Sequence, residues 1–253
     1  MKGAVVDVDG TVLRGESVLE GACEGLEALR EESVRVCFVS NNPTVTSEDL
    51  AVRLRNLGIE ARDGETLTSA SLTARYVEEN CAAPVHVTGE KAVVDALCEQ
   101  GIDVTETPAE ARTSVVSIDR GLSYGDIRAG YEATRAAEDY VCTDPDSVVP
   151  TGDGDIPGSG AVEAAVSRSA GREPFVVGKP SEYSGRAVLD ALGTSPGETV
   201  FVGDRLDTDI ALGESVGATT AFVNTGVSDG DAESSPHTPD HVLESLAGIA
   251  DLL

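Results

Sequence analysis

Five residues, Asp7-Val8-Asp9-Gly10-Thr11, constrain this chain more than any other stretch. They follow Gly3-Ala4-Val5-Val6, an apolar run of the kind that a parallel strand buried on both faces requires. The strand runs into one carboxylate and, one residue later, into a second. Gly10 lets the backbone turn sharply without a Cβ penalty. In open α/β sheets, ligands bind outside the carboxyl ends of the strands, so Asp7 and Asp9 are expected at the rim of a crevice. Two carboxylates that close repel each other unless a cation lies between them. A hard dication such as Mg²⁺, which takes oxygen ligands, meets that demand. Taken alone, the pattern also fits a strand end followed by a polar turn, and the rest of the chain has to decide.

The same punctuation recurs. Residues 20–32 carry Leu26 and Leu29 in an amphipathic helical pattern, and Val34-Arg35-Val36-Cys37-Phe38-Val39 reads as a second buried strand. It ends in Ser40-Asn41-Asn42-Pro43-Thr44, a polar loop expected at the same edge as Asp7. Thr46 and Asp49 form a capping-box pattern for a helix through Leu57, closed by Gly58. From about residue 80 the pattern restarts, with strands at 85–88, 114–118 and 140–143 and helices at 90–100 and 124–138. No strand there ends in a carboxylate pair followed by glycine, so this part reads as an inserted α/β domain. Residues 151–160 are rich in Gly, Asp and Pro and read as a loop. Asp153 and Asp155 lack the order and the distal glutamate of a calcium loop.

Phe175-Val176-Val177-Gly178 reads as a strand running into Lys179. Composition gives that residue weight. The chain has only three lysines, Lys2, Lys91 and Lys179, the other 15 of its 18 basic residues being arginine. A lysine at a strand end is a point charge suited to phosphate and to clustered carboxylates. After a helix through Leu192, Val200-Phe201-Val202 is a strand ending in Gly203-Asp204, and Asp209 opens the next helix. Residues 219–223 read as a last strand, 228–238 as a mobile acidic link, and 239–253 as a terminal amphipathic helix. His86, His237 and His241 show no metal-ligand spacing.

Four strand ends thus carry Asp7/Asp9, Ser40/Asn41, Lys179 and Asp204/Asp209. In that order they resemble the haloacid dehalogenase (HAD) superfamily, in its NagD-like, 4-nitrophenylphosphatase and phosphoglycolate phosphatase group. The matching stretches are DVDGT at 7–11, SNNPT at 40–44, PGSGA at 157–161, GREPFVVGKP at 171–180 and GDRLDTDI at 203–210. The resemblance covers nearly the whole chain. It implies an α/β fold, a Rossmann-like parallel-sheet HAD core over residues 1–79 and 175–253, with a C2-type α/β cap domain inserted over 80–174.

The resemblance also implies roles. Asp7 would be the nucleophile that forms an aspartyl-phosphate, and Asp9 the acid that protonates the leaving alcohol and then the base for water. Asp7, the backbone carbonyl of Asp9, Asp204 and Asp209 would hold Mg²⁺. Ser40, Asn41, Asn42 and Lys179 would bind the substrate's phosphoryl group. The superfamily's ATPases carry Thr where Asp9 stands, so Asp9 points to hydrolysis of a phosphomonoester: a sugar phosphate, phosphoglycolate or a nucleotide monophosphate. Where many relatives have T-N-P-D, this chain has Thr143-Asp144-Pro145-Asp146, a carboxylate expected near the substrate entrance. Relatives specialised for pyridoxal phosphate carry a His near Val149, and the proline-rich continuation after Lys179 is here Ser181-Glu182-Tyr183-Ser184. Relatives often pair through the cap, which points to a homodimer. A phosphotransferase or mutase would use the same aspartyl-phosphate. A receiver-like binding module combines Asp, Ser/Thr and Lys but has about half this length and no counterpart of Asp9.

The 253 residues carry 45 acidic and 18 basic side chains, a net charge of −27. Such a surface repels nucleic acid and anionic membranes. No apolar stretch approaches the roughly 18 residues of a membrane span. The first strand is expected almost at residue 1, and no signal peptide is expected. The five scattered cysteines suit a reducing cytoplasm and argue against zinc. The charge repels itself most at low salt, since the Debye length is roughly 10 Å at 0.1 M and about 3 Å at 1 M. Adaptation to a salt-rich cytoplasm follows as an expectation: thermal unfolding midpoints should rise as KCl is raised to molar concentration, and flat or falling midpoints would remove it.

Overall fold

The computed structural model describes residues 1–151, 154–225 and 235–253. In chain order, β1 (Gly3–Asp7) is followed by a two-stranded antiparallel hairpin, β2 (Leu13–Arg14) and β3 (Ser17–Val18). Then come α1 (Ala22–Glu31), β4 (Arg35–Ser40), α2 (Ser47–Asn56) and β5 (Thr66–Thr68). Next are α3 (Ser69–Asn80), β6 (Val85–Thr88), α4 (Lys91–Glu99), β7 (Thr113–Val116), α5 (Tyr124–Ala136) and β8 (Asp139–Cys142). A hairpin of β9 (Val148–Thr151) and β10 (Gly154–Pro157) leads to α6 (Ser159–Ala170) and β11 (Phe175–Val176). The chain finishes with α7 (Glu182–Leu192), β12 (Thr199–Gly203), α8 (Ala211–Val216), β13 (Thr219–Val223) and β14 (His241–Leu243).

These elements form two compact units. The first comprises Met1–Ser40, Leu50–Leu67 and Lys179–Leu253, the second Asn41–Asp49 and Thr68–Gly178. The first is built on a six-stranded sheet of order β14-β13-β12-β1-β4-β5. Its β1 pairs in parallel with both β4 and β12, and β12–β13 and β13–β14 are parallel too. Every residue of β1 and β12 is buried, as strands covered on both faces require. From β1 the sheet grows outward in both directions, so the strand order reverses there and opens a crevice at the carboxyl ends. Register fixes what meets at that edge. Val6 lies opposite Val202 and Asp7 opposite Val39, so Asp7 stands level with the ends of both neighbours, Gly203 and Ser40.

The second unit has its own parallel sheet, of order β11-β8-β7-β6. Its extent differs from the 80–174 expected for the insert, because α3 and the Asn41–Asp49 segment pack with it. Thr46 caps α2 as its sequence pattern indicates: Asp49 N–H donates to Thr46 Oγ1 at 3.1 Å, and Thr46 N–H donates back to Asp49 at 3.3 Å.

Several expectations are corrected. The strand ending near Lys179 is β11, which pairs with β8 in the second unit and not with the core sheet. It is two residues long and begins with a half-exposed Phe175, so no doubly buried run marks it as a core strand. Within the stretch 151–160 expected as a loop, Thr151 and Gly154–Pro157 belong to paired strands and Ser159 opens α6; Gly152 and Asp153 lie outside the described residues. Residues 219–223 are not the last strand, since β14 follows. The expected helix over 239–253 is replaced by β14 and a 3₁₀ segment, Leu246–Leu252. Asp240 accepts from Thr220 N–H at 2.9 Å and aligns the chain as an edge strand beside β13. The acidic link at 228–238 lies, up to residue 234, outside the described residues. No described helix is long and apolar enough to cross a membrane.

Asp144 does not face solvent. It is 1% exposed and accepts from Ser159 Oγ at 2.6 Å, Thr143 Oγ1 at 2.9 Å and Asp146 N–H at 3.2 Å, all within the second unit. Burial pushes its carboxyl up to about 7, opposed by the Ser159 and Thr143 hydrogen bonds and assisted by Asp146. The folded chain therefore keeps a proton that the unfolded chain releases near the ordinary Asp value, and stability contributed below that value is lost as pH rises through 7. Asp144→Asn should be more stable than wild type above pH 7, by at most a few kcal/mol, with the difference vanishing toward about pH 4. Urea unfolding across that range measures it.

Candidate active site

The site grows from three polar strand ends of the core sheet and one lysine. Asp7 closes β1, Ser40 closes β4, and Asp204 follows Gly203 at the end of β12. After Asp204 the chain winds a π-helical turn, Leu206–Ile210, before α8, and this wider turn carries Asp209. Asp209 Oδ2 accepts from Arg205 N–H at 3.1 Å, which fixes its direction. Carboxylate oxygens of Asp7, Asp204 and Asp209 lie within 4.8 Å of one another, and all three residues are buried.

Two glycines make this crowding possible. A Cβ on Gly203 would stand 2.3 Å from Asp209 Cβ, and one on Gly10 would stand 2.2 Å from an Asp204 carboxylate oxygen. Gly10 also has φ +103°, a conformation that side-chain-bearing residues avoid.

Lys179 sits among the carboxylates at 4% exposure. Its Nζ donates to Asp7 Oδ1 at 2.5 Å and to Asp209 Oδ1 at 2.6 Å, with Val39 O at 3.4 Å. Burial works against its charge, but Asp209 and Asp7 outweigh it and hold the ammonium above its ordinary range. One ammonium does not balance three carboxylates. Burial pushes Asp7 well above the carboxylate range; Lys179 opposes this, while Asp209 and Asp204 add to it. Burial and then Asp209 push Asp204 up to about 7. The cluster thus has more carboxylates than its one ammonium can pair, with oxygens close enough together to share a metal ion.

Its donor set fits a hard divalent ion, being all carboxylate oxygen with no sulfur or imidazole. Asp7 Oδ2 is buried and makes no hydrogen bond, so it is available as a metal ligand or a nucleophile. Asp9 is different. Its side chain is 47% exposed, with Ser40 Oγ 3.5 Å from Oδ2 and Arg53 Nη1 3.4 Å from Oδ1.

The structure thus gathers Asp7, Lys179, Asp204 and Asp209, and places Ser40 beside Asp9. Lys179 arrives from the chain that follows β11, not from a core strand end. Asn41 and Asn42 belong to the second unit. There Asn41 Nδ2 donates to Asp146 at 3.1 Å, and Asn42 Oδ1 accepts from Thr44 N–H at 2.9 Å and Thr44 Oγ1 at 2.7 Å, shaping a turn. Asp207 is occupied by Arg205 at 2.8 Å on the surface. Sequence reasoning missed Arg53, because nothing in the periodicity of α2 shows which loop its side chain reaches.

A family model described as haloacid dehalogenase-like hydrolase matches residues 4–103, and a second, HAD-hydrolase-like, matches 176–249. The sugar-phosphatase AraL of Bacillus subtilis is 32% identical over 99% of this chain and 92% of its own. The 5'-nucleotidase YutF of the same organism is 32% identical over 97% and 96%. Among solved structures, the p-nitrophenyl phosphatase from Archaeoglobus fulgidus matches with a TM-score of 0.93 and 35% identity, covering 100% of this chain and 99% of that one.

Lys179→Met should destabilise the protein by about 3–5 kcal/mol, as expected when a buried charge cluster loses its counter-charge. Denaturant unfolding at neutral pH without divalent ions measures it, and a loss within about 1 kcal/mol would mean the carboxylates are already neutral.

Proposed function

Because the chain belongs to the haloacid dehalogenase-like hydrolases, we propose that it is a phosphomonoesterase that works through a phosphorylated Asp7. The observation that carries this reading is the buried Asp7 carboxylate, its Oδ2 without a hydrogen bond, beside a lysine and two further carboxylates.

Asp7 Oδ2 attacks phosphorus, and the bond from phosphorus to the leaving oxygen breaks. Asp9, protonated, gives its proton to that oxygen, so an alcohol departs and Asp9 becomes a carboxylate. Water then attacks the aspartyl-phosphate, its proton passes to Asp9, and the bond from Asp7 to phosphorus breaks to release phosphate. Lys179 and the Ser40 hydroxyl stabilise the phosphoryl oxygens, whose charge is spread in the transition state. Lys179 also holds Asp7 in place through the 2.5 Å contact. Asp7, Asp204 and Asp209, with the Asp9 carbonyl, would hold Mg²⁺, which supplies positive charge to the site when bound. Asn41 and Asn42 are assigned to substrate binding on the resemblance of SNNPT alone.

The second unit is assigned as the C2-type cap. The relatives' names, a sugar phosphatase and a nucleotidase, support a small phosphorylated metabolite as substrate: a sugar phosphate, phosphoglycolate or a nucleotide monophosphate. The five cysteines are free thiols, which, with the acidic surface, supports a reducing, salt-rich cytoplasm as the setting.

Hydrolysis of 4-nitrophenyl phosphate in molar KCl, with Mg²⁺ or with EDTA, tests this reading. Wild type should turn over only with the divalent ion, and Asp7→Asn should be inactive. Turnover retained by Asp7→Asn, or release of phosphate carrying no ¹⁸O from labelled water, would overturn it.

A further inference from the structure

We propose that Arg53 is a positioning residue for the leaving-group acid, clamping the Asp9 carboxyl to the tip of the β2–β3 hairpin; this rests on the acid role assigned to Asp9 above. The backbone around Asp9 is well fixed. Gly10 N–H donates to Leu13 O at 2.7 Å, and the Leu13 and Val12 N–H groups donate to Val8 O at 2.8 and 3.0 Å. The side chain is not fixed in this way, since half of it is exposed and two bonds remain rotatable. A general acid must present its proton within hydrogen-bond reach of the leaving oxygen, and a misplacement of about 1 Å can cost on the order of 10²-fold in rate.

Arg53 supplies the missing constraint. It projects from α2, and its guanidinium reaches three groups that follow β1. Nη1 lies 3.4 Å from Asp9 Oδ1, Nη2 donates to Gly15 O at 2.6 Å, and Nε lies 3.4 Å from Glu16 Oε1. Only a planar fork of donors spans such a set, and a lysine would cover one partner at a time. The Gly15 bond goes to a neutral carbonyl, so it persists at salt concentrations that screen an exposed ion pair. As an ion pair alone, the Arg53–Asp9 contact contributes little to stability; its effect is on direction. A guanidinium has donors and no acceptor. With Arg53 against Oδ1, the acidic proton belongs on Oδ2, the oxygen beside Ser40.

The test compares kcat/KM for two substrates of similar size. 4-Nitrophenolate leaves without a proton, whereas the alkoxide from benzyl phosphate needs one. With Mg²⁺ in molar KCl, Arg53→Gln should lose on the order of 10-fold more kcat/KM on benzyl phosphate than on 4-nitrophenyl phosphate, within the range of a general acid's contribution. Arg53→Lys should recover part of that difference. The ratio of the two substrates in one preparation is independent of the folded fraction, so partial unfolding does not mimic the effect. Equal loss on both substrates would overturn the proposal and leave Arg53 a staple for the hairpin. Asp9→Asn tells the role of Arg53 apart from the role of Asp9. If it shows the differential loss and Arg53→Gln does not, only the role of Arg53 fails. If Asp9→Asn shows none, or wild type turns over neither substrate, the acid assignment fails and this inference fails with it.

Discussion

An excess of buried negative charge is the constraint on which the rest of the site depends. Asp7, Asp204 and Asp209 converge where water is scarce, and Lys179 offsets only part of their charge. Such a cluster is costly unless protons or cations make up the difference. The same imbalance explains how a chain of net charge −27 can attract an anion. A phosphate approaching this surface meets net repulsion, which Lys179 and, on the proposed function, a divalent cation held by the carboxylates would offset at one point. On the proposed mechanism the carboxylates are less a binding surface for substrate than a means of concentrating positive charge at one point, and Asp7 is the nucleophile within it.

The fold holds this arrangement by backbone geometry. The strand-order reversal at β1 puts Asp7, Ser40 and Asp204 at one edge. Gly10 and Gly203 remove the Cβ atoms that would keep Asp204 and Asp209 away. The π-helical turn after β12 turns Asp209 back toward Lys179. Asp9 lies outside this buried cluster, half in solvent, which suits the proton exchange with leaving group and water proposed for it. Its orientation then falls to neighbours on other elements, Ser40 from β4 and Arg53 from α2.

Legibility in the sequence followed the strength of the local signal. Asp7 and Asp204 each end a buried apolar run, and Ser40 ends another, so their edge was readable. Lys179 was singled out for a strand-end geometry that does not exist, since β11 belongs to the other sheet, yet its side chain does reach Asp7 and Asp209. A two-residue strand carries no periodicity that names its partner. At the C-terminus, apolar spacing suggested a helix, yet pairing with β13 and the Asp240–Thr220 hydrogen bond draw part of it into a strand. Asp144 read as a carboxylate near the substrate entrance, whereas three hydrogen bonds hold it inside the second unit.

The sequence by itself determined that a strand must deliver two carboxylates to a sheet edge, that further carboxylates follow a later strand, and that one of three lysines stands apart. These are local facts, because burial along a strand and the freedom of a glycine are set by neighbouring residues. Only the tertiary structure decided which strand ends meet, how Lys179 reaches Asp7, and that Arg53 bridges Asp9 and Gly15. Those contacts join positions 172, 44 and 38 residues apart. Their distances depend on sheet order, register and helix placement, which no single segment of the chain encodes.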